Sequence, residues 1–429
     1  MNSAPPPMSD ALLALTFALL LVAPLAIAGV ALINTGLGRS RSAAQALLGN
    51  LVLAAVAALA FALLGAVLAG ALGGHSLVIH AAGKGWNWLG AGHWALDALS
   101  ASTPRMQLAL LFQFLSVAFA ALVPWGSGAD RWRLSAGAAA AAVLGAFVFP
   151  LFSHWTWNGG WLSQLGINFS LGDGFLDPGG AATVHVLGGL SALAVVWIAG
   201  PRRGKFPKEG LSTAMPGHNA SYVLFGCFIA LAGWMAWNTA GAILWLRTPL
   251  ADLSSTAVGT LLSAAGALIA TLLVTHVRFG KPDASLCANG WLAGLVASSA
   301  CAAMVSPGAS LLIGIVAGIM TPLLVEVLEL ALSIDDPSGA VTVHAVAGLW
   351  GLFAAGLFAT PAGQLLAQLV GIAALLGVVL PLVYLLFALL NRIVPFRVDP
   401  DGERIGMDLH ELGGGAYPEF VIHRDESYR

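Results

Sequence analysis

Long apolar stretches, separated by short joints rich in glycine, proline and charged residues, dominate the chain. A helix needs about 20 mostly apolar residues to cross the hydrocarbon core of a bilayer, and eleven stretches reach that length. They lie at about 9–34, 43–72, 106–124, 134–153, 180–200, 220–246, 254–277, 284–304, 308–332, 339–359 and 363–391. A membrane β-barrel would instead alternate polar and apolar positions over segments of about 10 residues, and no segment does so. The pattern predicts an all-α polytopic membrane protein with eleven transmembrane helices.

Composition agrees with this prediction. Of the 429 residues, 58% are hydrophobic and only 9% are charged, whereas soluble proteins carry about 25% charged residues. The 18 basic residues are balanced by 20 acidic ones, so the chain lacks the basic surface that binds nucleic acid. The three cysteines show no metal-type spacing and do not favour a disulfide scaffold. Composition therefore excludes a soluble multidomain enzyme and nucleic-acid binding, and the lipid bilayer is the expected environment.

The distribution of basic residues predicts the orientation of the chain. Lys and Arg in short loops are retained on the cytoplasmic side, and 15 of the 18 fall in alternate joints or in the segment after the last apolar stretch. With eleven spans, the N-terminus is expected outside and the C-terminus in the cytosol, in a cell (inner) membrane. The first stretch, 9–34, lacks a basic leader and is longer than a secretory h-region, so it is interpreted as a span.

One internal repeat stands out. Residues 177–190 read DPGGAATVHVLGGL and residues 336–349 read DPSGAVTVHAVAGL, at a constant offset of 159. The copies open the fifth and tenth spans, so they run through the membrane in opposite directions. Such a repeat indicates two inverted five-helix halves with a substrate site between them and an extra C-terminal helix. The predicted parts are a first half at 1–200, a second half at 201–361, a helix at 362–391 and a cytoplasmic tail at 392–429.

Each copy begins with an aspartate and a proline. Asp177 and Asp336 are expected to cap their helices, with Pro178 and Pro337 at the first helical position, where the missing N–H costs nothing. For both aspartates, this structural role in capping is favoured over direct contact with a bound ligand.

Each copy also carries one histidine, His185 or His344, eight residues after the aspartate. Eight residues of helix span about 12 Å, close to half of a hydrocarbon core about 30 Å thick. Because the two helices start from opposite faces, the two imidazoles are expected to meet near the middle of the membrane. Polar groups at that depth are costly and usually functional.

Three roles fit a buried histidine pair: a proton relay, a metal site or bis-histidine haem ligation. No Cys, Asp or Glu lies at ligand spacing within those spans, which argues against a metal. Haem ligation is possible by residue type but needs a wide cleft. A neutral pair can donate from one ring and accept with the other, so it can pass a proton or hold a small polar molecule. We favour a neutral histidine pair with one of these two roles, and we predict no metal or other cofactor.

Several segments resemble the Amt/Mep/Rh ammonium transporters, and more closely the Amt branch. The segments are DPGGAATVH (177–185), HNASYVLFGCFIALAGWMAWNTAG (218–241), GKPDASLCANGWLAGLVASSA (280–300), IDDPSGAVTVH (334–344) and GMDLHELGGGAY (406–417). The resemblance covers nearly the whole chain. It implies a homotrimer of transport proteins rather than enzymes, in which each protomer encloses its own narrow pore between two five-helix halves. It also implies that the tail contacts a PII-type regulatory protein.

The resemblance assigns roles to three residues. His185 and His344 match the twin histidines that line the pore of this family and share a hydrogen bond. Trp157 matches the tryptophan of the aromatic outer vestibule that collects ammonium. A cation over an indole face is stabilised by roughly 0.5–2 kcal/mol. In such proteins ammonium gives up a proton, and ammonia passes the histidines.

Three positions depart from the family pattern at the pore entrance. The family usually stacks two phenylalanines there, but this chain has Ser116 at the first position and Trp237 at the second, and Gly241 replaces the vestibule serine. Trp237 can fill the space left by Ser116, or the gate is remodelled and ammonium capture is weaker. The favoured hypothesis is therefore an ammonium transporter, and the alternative is an ammonium sensor of the same fold with little or no transport.

The predicted outer loops, about 73–104 and 154–178, carry six tryptophans, which are interpreted mainly as an interfacial aromatic belt. Four histidines in these loops or their mouths are expected to be solvated surface residues: His75, His80, His93 and His154. Three asparagines near or within spans are expected to bond between helices: Asn219, Asn238 and Asn289. Glu326 and Glu329 are expected at the cytoplasmic interface.

Overall fold

A computed structural model describes residues 8–417 of the chain. Within that range eleven helices are long and apolar enough to cross a membrane. Spans 1 to 11 are Asp10–Leu37, Ser40–Ala69, Pro104–Ser127, Leu134–Thr156, Ala181–Ala199, Ala220–Leu246, Leu250–Phe279, Ala284–Cys301, Pro307–Leu330, Val341–Phe358 and Gln364–Ile393. Each coincides with one predicted stretch, with ends that differ by four residues or fewer. The prediction of an eleven-span helical membrane protein is confirmed, and the end of the predicted tail lies outside the described residues.

Shorter elements lie between and after the spans. They comprise strands β1 (Gly74–Ala81) and β2 (Lys84–Gly92) and the short helices Ala95–Ala98, Leu165–Phe169, Pro400–Ile405 and Asp408–Leu412. The connections alternate between two ends of the helix bundle. We call the end that carries β1 and β2 the hairpin face, and the opposite end, which carries residues 399–417, the tail face.

The two strands form an antiparallel hairpin where the sequence had indicated only a loop. The turn between them is Ala82 and Gly83, both at positive φ (53° and 72°), which is typical of a tight two-residue hairpin turn. Trp161 N–H donates to the carbonyl of Asn87 (2.9 Å), and Trp155 Nε1 donates to Trp88 O (2.8 Å). These bonds fasten β2 to span 4 and the loop that follows it. Trp155 and Trp161 therefore pack against the hairpin rather than forming a lipid-facing belt, whereas Trp94 is 50% exposed.

His154 is buried, contrary to the prediction that it is a solvated surface residue. Its side chain is 1% exposed, and its ring nitrogens lie 2.9 Å from the carbonyl of Ala69 and 2.9 Å from Asn87 Oδ1. The hairpin folds over this histidine and supplies one of its two partners. His75, His80 and His93, by contrast, are exposed as expected.

Spans 5 and 10 cross at a pair of glycines that occupy equivalent positions in the repeat. A Cβ at Gly189 would overlap the backbone of Ala345, and a Cβ at Gly348 would come 2.6 Å from the Val186 side chain. Each contact is the counterpart of the other at the offset of 159. Small residues let membrane helices approach closely, so these glycines allow the two histidine-bearing helices to touch. The wider division into two inverted halves stays a prediction.

The three asparagines differ in their hydrogen bonds. The side chain of Asn219 caps the start of span 6 by accepting a hydrogen bond from Tyr222 N (3.0 Å). Its bond to another span is made by the backbone, since its N–H donates to Gly36 O (3.1 Å) on span 1. Asn238 does join helices, because its amide donates to one hydroxyl on span 7 and one on span 8. The amide oxygen of Asn289 makes no hydrogen bond within the described residues.

At the tail face, residues after span 11 are fastened to two spans by acidic side chains. Asp408 accepts from Ala44 N (3.1 Å) and Gln45 N (2.8 Å) at the start of span 2. Glu411 accepts from Leu134 N at the start of span 4 (3.0 Å). Carboxylates at helix N-termini satisfy free N–H groups and complement the helix dipole, so the tail is docked by capping.

Candidate functional site

The two repeat histidines meet in the interior of the molecule. His185 Nδ1 and His344 Nδ1 lie 3.3 Å apart, and the rings are nearly parallel with centroids 5.2 Å apart. The side chains are 0% and 3% exposed, respectively. Both sit in short π-helical segments, Ala181–Val186 and Val341–Val346, which occupy nearly equivalent positions in the repeat.

The shared bond restricts the protonation of the pair. An Nδ1···Nδ1 hydrogen bond needs one ring to donate and the other to accept, so only one of the two Nδ1 atoms carries a proton. His185 Nε2 is buried and has no partner within the described residues. The pair can therefore offer a hydrogen bond to a small molecule that passes beside His185.

Aromatic rings hold the histidines in place on two sides. Trp234 stacks on His185, with centroids 4.9 Å apart and an interplanar angle of 17°. Phe119 presents its edge to His185 at 5.0 Å and to His344 at 6.4 Å. The surroundings of the pair are thus apolar and tightly packed, which favours neutral rings over imidazolium.

Asp177 and Asp336 support the two helix starts. Asp177 accepts from the N–H groups of Ala182 (3.0 Å) and Thr183 (2.8 Å). Asp336 accepts from the N–H of Val341 (2.8 Å). These are the contacts of capping carboxylates, and they position the turns that carry the histidines.

The prolines after these aspartates do not open the helices. Span 5 begins at Ala181 and span 10 at Val341, so Pro178 and Pro337 precede the first turn instead of starting it. The reason is a glycine two residues after each proline. Gly180 and Gly339 adopt positive φ (78° and 69°) and turn the chain before it becomes helical.

A single indole occupies the place where the family resemblance had suggested stacked rings. Trp237 is 1% exposed and donates from Nε1 to the carbonyl of Gly179 (3.0 Å). Its ring lies 5.0 Å from Phe112 and 5.7 Å from Phe119. Ser116 is buried and turns its hydroxyl to the carbonyl of Phe112 (2.7 Å). Trp237 therefore packs against Phe112 and Phe119, which lie one turn to either side of Ser116 on span 3. That it fills the space left by Ser116 stays a prediction.

A cavity of about 410 Å³ opens on the hairpin face above this indole, lined by Trp157, Asp177 and Trp245 among others. Trp157 Nε1 donates to the carbonyl of Asp177 (2.8 Å). Trp245 stacks on Trp157 with centroids 5.1 Å apart and an interplanar angle of 5°. The Trp157 ring is thus fixed at its nitrogen and covered on one face. We call this cavity the vestibule.

Gly241 lies against backbone and could not carry a larger side chain. A Cβ added there would overlap the carbonyl oxygen of Pro178 and lie 3.4 Å from Gly179 Cα. The close approach brings span 6 against the loop that leads into span 5. No side-chain hydroxyl can be presented from this position unless that loop moves.

Several residues of the site were missed from the sequence, although helix periodicity could have found them. Phe112 and Phe119 flank Ser116 at i−4 and i+3 on span 3. Trp234 and Trp245 lie three before and eight after Trp237 on span 6, so all of them share the faces of residues already singled out. They were passed over because aromatic residues at such spacing are ordinary in any apolar helix.

The geometry of the pair tests the alternative of haem ligation. An iron between two axial imidazoles needs the porphyrin plane between the rings, but the facing nitrogens are only 3.3 Å apart. The two rings leave no space for a macrocycle, so the bis-histidine haem interpretation is wrong for this arrangement. Within residues 8–417, no group of three or more His, Cys, Asp or Glu side chains is placed to hold a metal ion.

Comparison with known proteins identifies the family. A model of the Ammonium Transporter Family matches residues 12–417. The chain belongs to this family. Its relatives include the ammonium transporter Amt2 of Archaeoglobus fulgidus, 34% identical over 93% of this chain and 86% of that one. Ammonium transporter 1 member 3 of Solanum lycopersicum is 30% identical over 91% of this chain and 89% of its own length.

Two solved structures with a similar fold carry different descriptions. A structure described as "Sensor Amt Protein" matches with a TM-score of 0.84 and 26% identity, covering 93% of this chain and 98% of that one. The crystal structure of Candida albicans Mep2 matches with a TM-score of 0.78 and 25% identity, covering 96% and 91%. The ammonium transporter fold is therefore shared along nearly the whole length of the chain.

Proposed function

We propose that this family member moves ammonium nitrogen from the hairpin face to the tail face, past the paired imidazoles of His185 and His344. The observation that carries the proposal is a buried, hydrogen-bonded histidine pair that ring contacts through Phe119, Trp237 and Phe112 connect to the aromatic wall of the vestibule. The hairpin face is then the outer side and the tail face the cytoplasmic side of the cell membrane.

Capture takes place in the vestibule. Ammonium is attracted to the aromatic surface that Trp157 and its neighbours provide, with a gain of roughly 0.5–2 kcal/mol for a cation over a ring. The cation then transfers a proton to solvent water at the mouth of the vestibule and becomes ammonia. The reason is that a charge near the bilayer centre costs about 3 kcal/mol or more, whereas neutral ammonia does not carry that penalty.

Ammonia passes Trp237 and meets the histidine pair. The unpartnered Nε2 of His185 offers it a hydrogen bond, and the Nδ1···Nδ1 bond to His344 offers a route by which the released proton can follow. Passage past Trp237 requires that indole to move, since it is buried and bonded to Gly179. Trp237 is therefore the gate in this proposal, in place of two stacked rings.

Flux into proteoliposomes tests the proposal. An inward ammonium gradient should change the internal pH of vesicles holding the wild-type protein, compared with protein-free vesicles. His185→Ala combined with His344→Ala should abolish that response or turn it into a leak that also admits potassium. A double variant with unchanged, ammonium-specific flux would overturn the role of the pair.

A sensor is the second candidate function, and the packed position of Trp237 favours it. An indole that fills the route to His185 can hold ammonium in the vestibule without letting ammonia through. The similarity to a protein described as a sensor is consistent with this alternative. Saturable ammonium binding together with flux equal to protein-free vesicles would decide for sensing, and flux above that background would decide for transport.

The oligomer and the regulatory partner belong to the same proposal. We expect a homotrimer with one pore per protomer, and we expect the tail at 392–429 to contact a PII-type protein. Native mass spectrometry of the purified protein checks the first expectation. Failure to co-purify with a PII-type protein from nitrogen-replete cells would contradict the second.

A further inference from the structure

The loop between spans 4 and 5 brings a carboxylate to the vestibule. Asp173 lies near the end of this loop, and its N–H donates to Gln364 Oε1 (3.0 Å). The Gln364 side chain donates in turn to the carbonyl of Gly174 (2.8 Å), and Gly172 N–H donates to Ala362 O (3.0 Å). The start of span 11 and the connection just before it thus fix the backbone on both sides of Asp173.

Three charged residues line the vestibule, and only one of them is a carboxylate available to a ligand. Asp177 is 3% exposed, and its oxygens are occupied by the N–H groups that start span 5. The side chain of Asp173 is exposed and forms no salt bridge or hydrogen bond with any residue between 8 and 417. Its negative charge is therefore free to act on an entering cation.

The third charge has the opposite sign. Arg105, at the second position of span 3, donates from Nη2 to the carbonyl of Leu244 (2.6 Å). Its Nε is buried and has no acceptor among the described residues. Arg105 and Asp173 line one cavity without forming an ion pair, so each contributes its own field to the vestibule.

The loss of the vestibule hydroxyl makes this carboxylate important. Gly241 cannot present a hydroxyl because a side chain there would overlap the carbonyl of Pro178. An ammonium ion donates four hydrogen bonds and carries a full charge, so it requires an acceptor that the aromatic rings do not supply. Asp173 is the free anionic acceptor on the vestibule wall.

We infer that Asp173 is the residue that recruits ammonium to the vestibule, and that Arg105 opposes it and sets the apparent affinity. The inference rests on the proposed function and adds a residue that determines affinity at the same site. Opposite charges about 4 Å apart in water attract by an amount equal to about a fivefold change in binding, and salt weakens the attraction.

Charge variants in proteoliposomes test the inference. Asp173→Asn should raise the half-saturating ammonium concentration about three- to tenfold, with the maximal flux unchanged. Arg105→Gln should lower it, and Asp173→Glu should keep the wild-type value. The difference between wild type and Asp173→Asn should shrink in 0.5 M sodium chloride, which a purely structural effect would not do.

Asp173 lines both the vestibule and a neighbouring cavity of about 500 Å³ on the same face. Asp252→Asn is the matched control, because Asp252 lines only the neighbouring cavity and so tests whether that cavity, rather than the vestibule, takes the ion. It should leave the half-saturating concentration unchanged. An unchanged value in Asp173→Asn, or an equal shift in Asp252→Asn, would overturn the inference while wild-type flux still upholds the proposed function. A wild type with neither ammonium flux nor ammonium binding would overturn both.

Discussion

At the scale of single residues, the chain departs from its family where side-chain volume is decisive. Trp237 packs between Phe112 and Phe119 on the span that carries the small Ser116, and Gly241 admits the Pro178 carbonyl where the family resemblance implies a serine. The two substitutions have different consequences. The first replaces one ring system by another, whereas the second removes a hydrogen-bonding group and closes the space it needed.

Restoring a side chain at Gly241 should therefore damage the protein. Gly241→Ala or Gly241→Ser forces the loop before span 5 away from span 6, and overpacking of this kind typically costs about 1–3 kcal/mol. We expect either variant in detergent to lose half of its monodisperse protein at a lower temperature than wild type does. Gly377→Ala is the control, because no atom lies within 4 Å of a Cβ there, and it should behave as wild type. A wild-type temperature for Gly241→Ser would contradict the packing argument.

At the scale of elements, the termini of helices do much of the organising. Asp177 and Asp336 cap the turns that present the histidines, and Asp408 and Glu411 cap spans 2 and 4 from the tail. The carboxylates that start spans 5 and 10 could be anticipated from the repeat. The tail caps could not, since they join residues more than 270 positions apart, and no local pattern indicates such pairing.

The hairpin and the burial of His154 also could not be predicted from local sequence patterns. The residues of β1 are exposed along their whole length, so they lack the apolar alternation that identifies a half-buried strand. The tight turn at Gly83 was the one local signal. The burial of His154 follows from the hairpin, and it could not be predicted before the hairpin was known.

Neutralising Asp408 should release the tail. Asp408→Asn removes the charged acceptor from the start of span 2, and loss of a helix cap costs about 0.5–2 kcal/mol. Hydrogen exchange of amides 407–416 should become several-fold faster. Asp401→Asn is the control, because Asp401 pairs only with the exposed Arg404. Equal exchange in wild type and Asp408→Asn would contradict docking by capping.

At the scale of the whole molecule, the apolar pattern and the repeat predicted the eleven spans and the meeting of His185 with His344. Both rest on regular features, namely span length and a constant offset. The wall of the vestibule was not predicted, because Asp173, Arg105 and Trp245 come from three separate connections or helix ends. Only the assembled bundle brings such residues together.

The connections at the tail face are joined by a buried charge cluster. Arg202 donates to both oxygens of Asp335 (2.9 Å each) and to Asp130 (3.2 Å). Burial alone would raise the pKa of Asp335, but the hydrogen bonds from Arg202 and the charge of Arg131 outweigh it and hold that pKa below its usual value. The cluster ties together the connections that follow spans 3, 5 and 9.

This cluster predicts a pH dependence. Because the pKa of Asp335 is lowered by folding, its contribution is present above pH of about 4 and is lost as pH falls below that value. Asp335→Asn should cost about 3 kcal/mol or more at pH 7, since it leaves a buried Arg202 underpaired. The gap in thermal stability between wild type and Asp335→Asn should narrow as pH falls below 4, whereas the exposed Glu209→Gln should show no gap. A gap that widens in acid would contradict the assignment.

Selectivity against potassium tests most directly whether nitrogen crosses as ammonia past the buried histidine pair. Potassium has nearly the size of ammonium but no proton to give up. In proteoliposomes of the wild-type protein, we expect a pulse of ammonium to evoke a response and an equal pulse of potassium to evoke none. An equal response to both ions, or none to ammonium, would contradict the account.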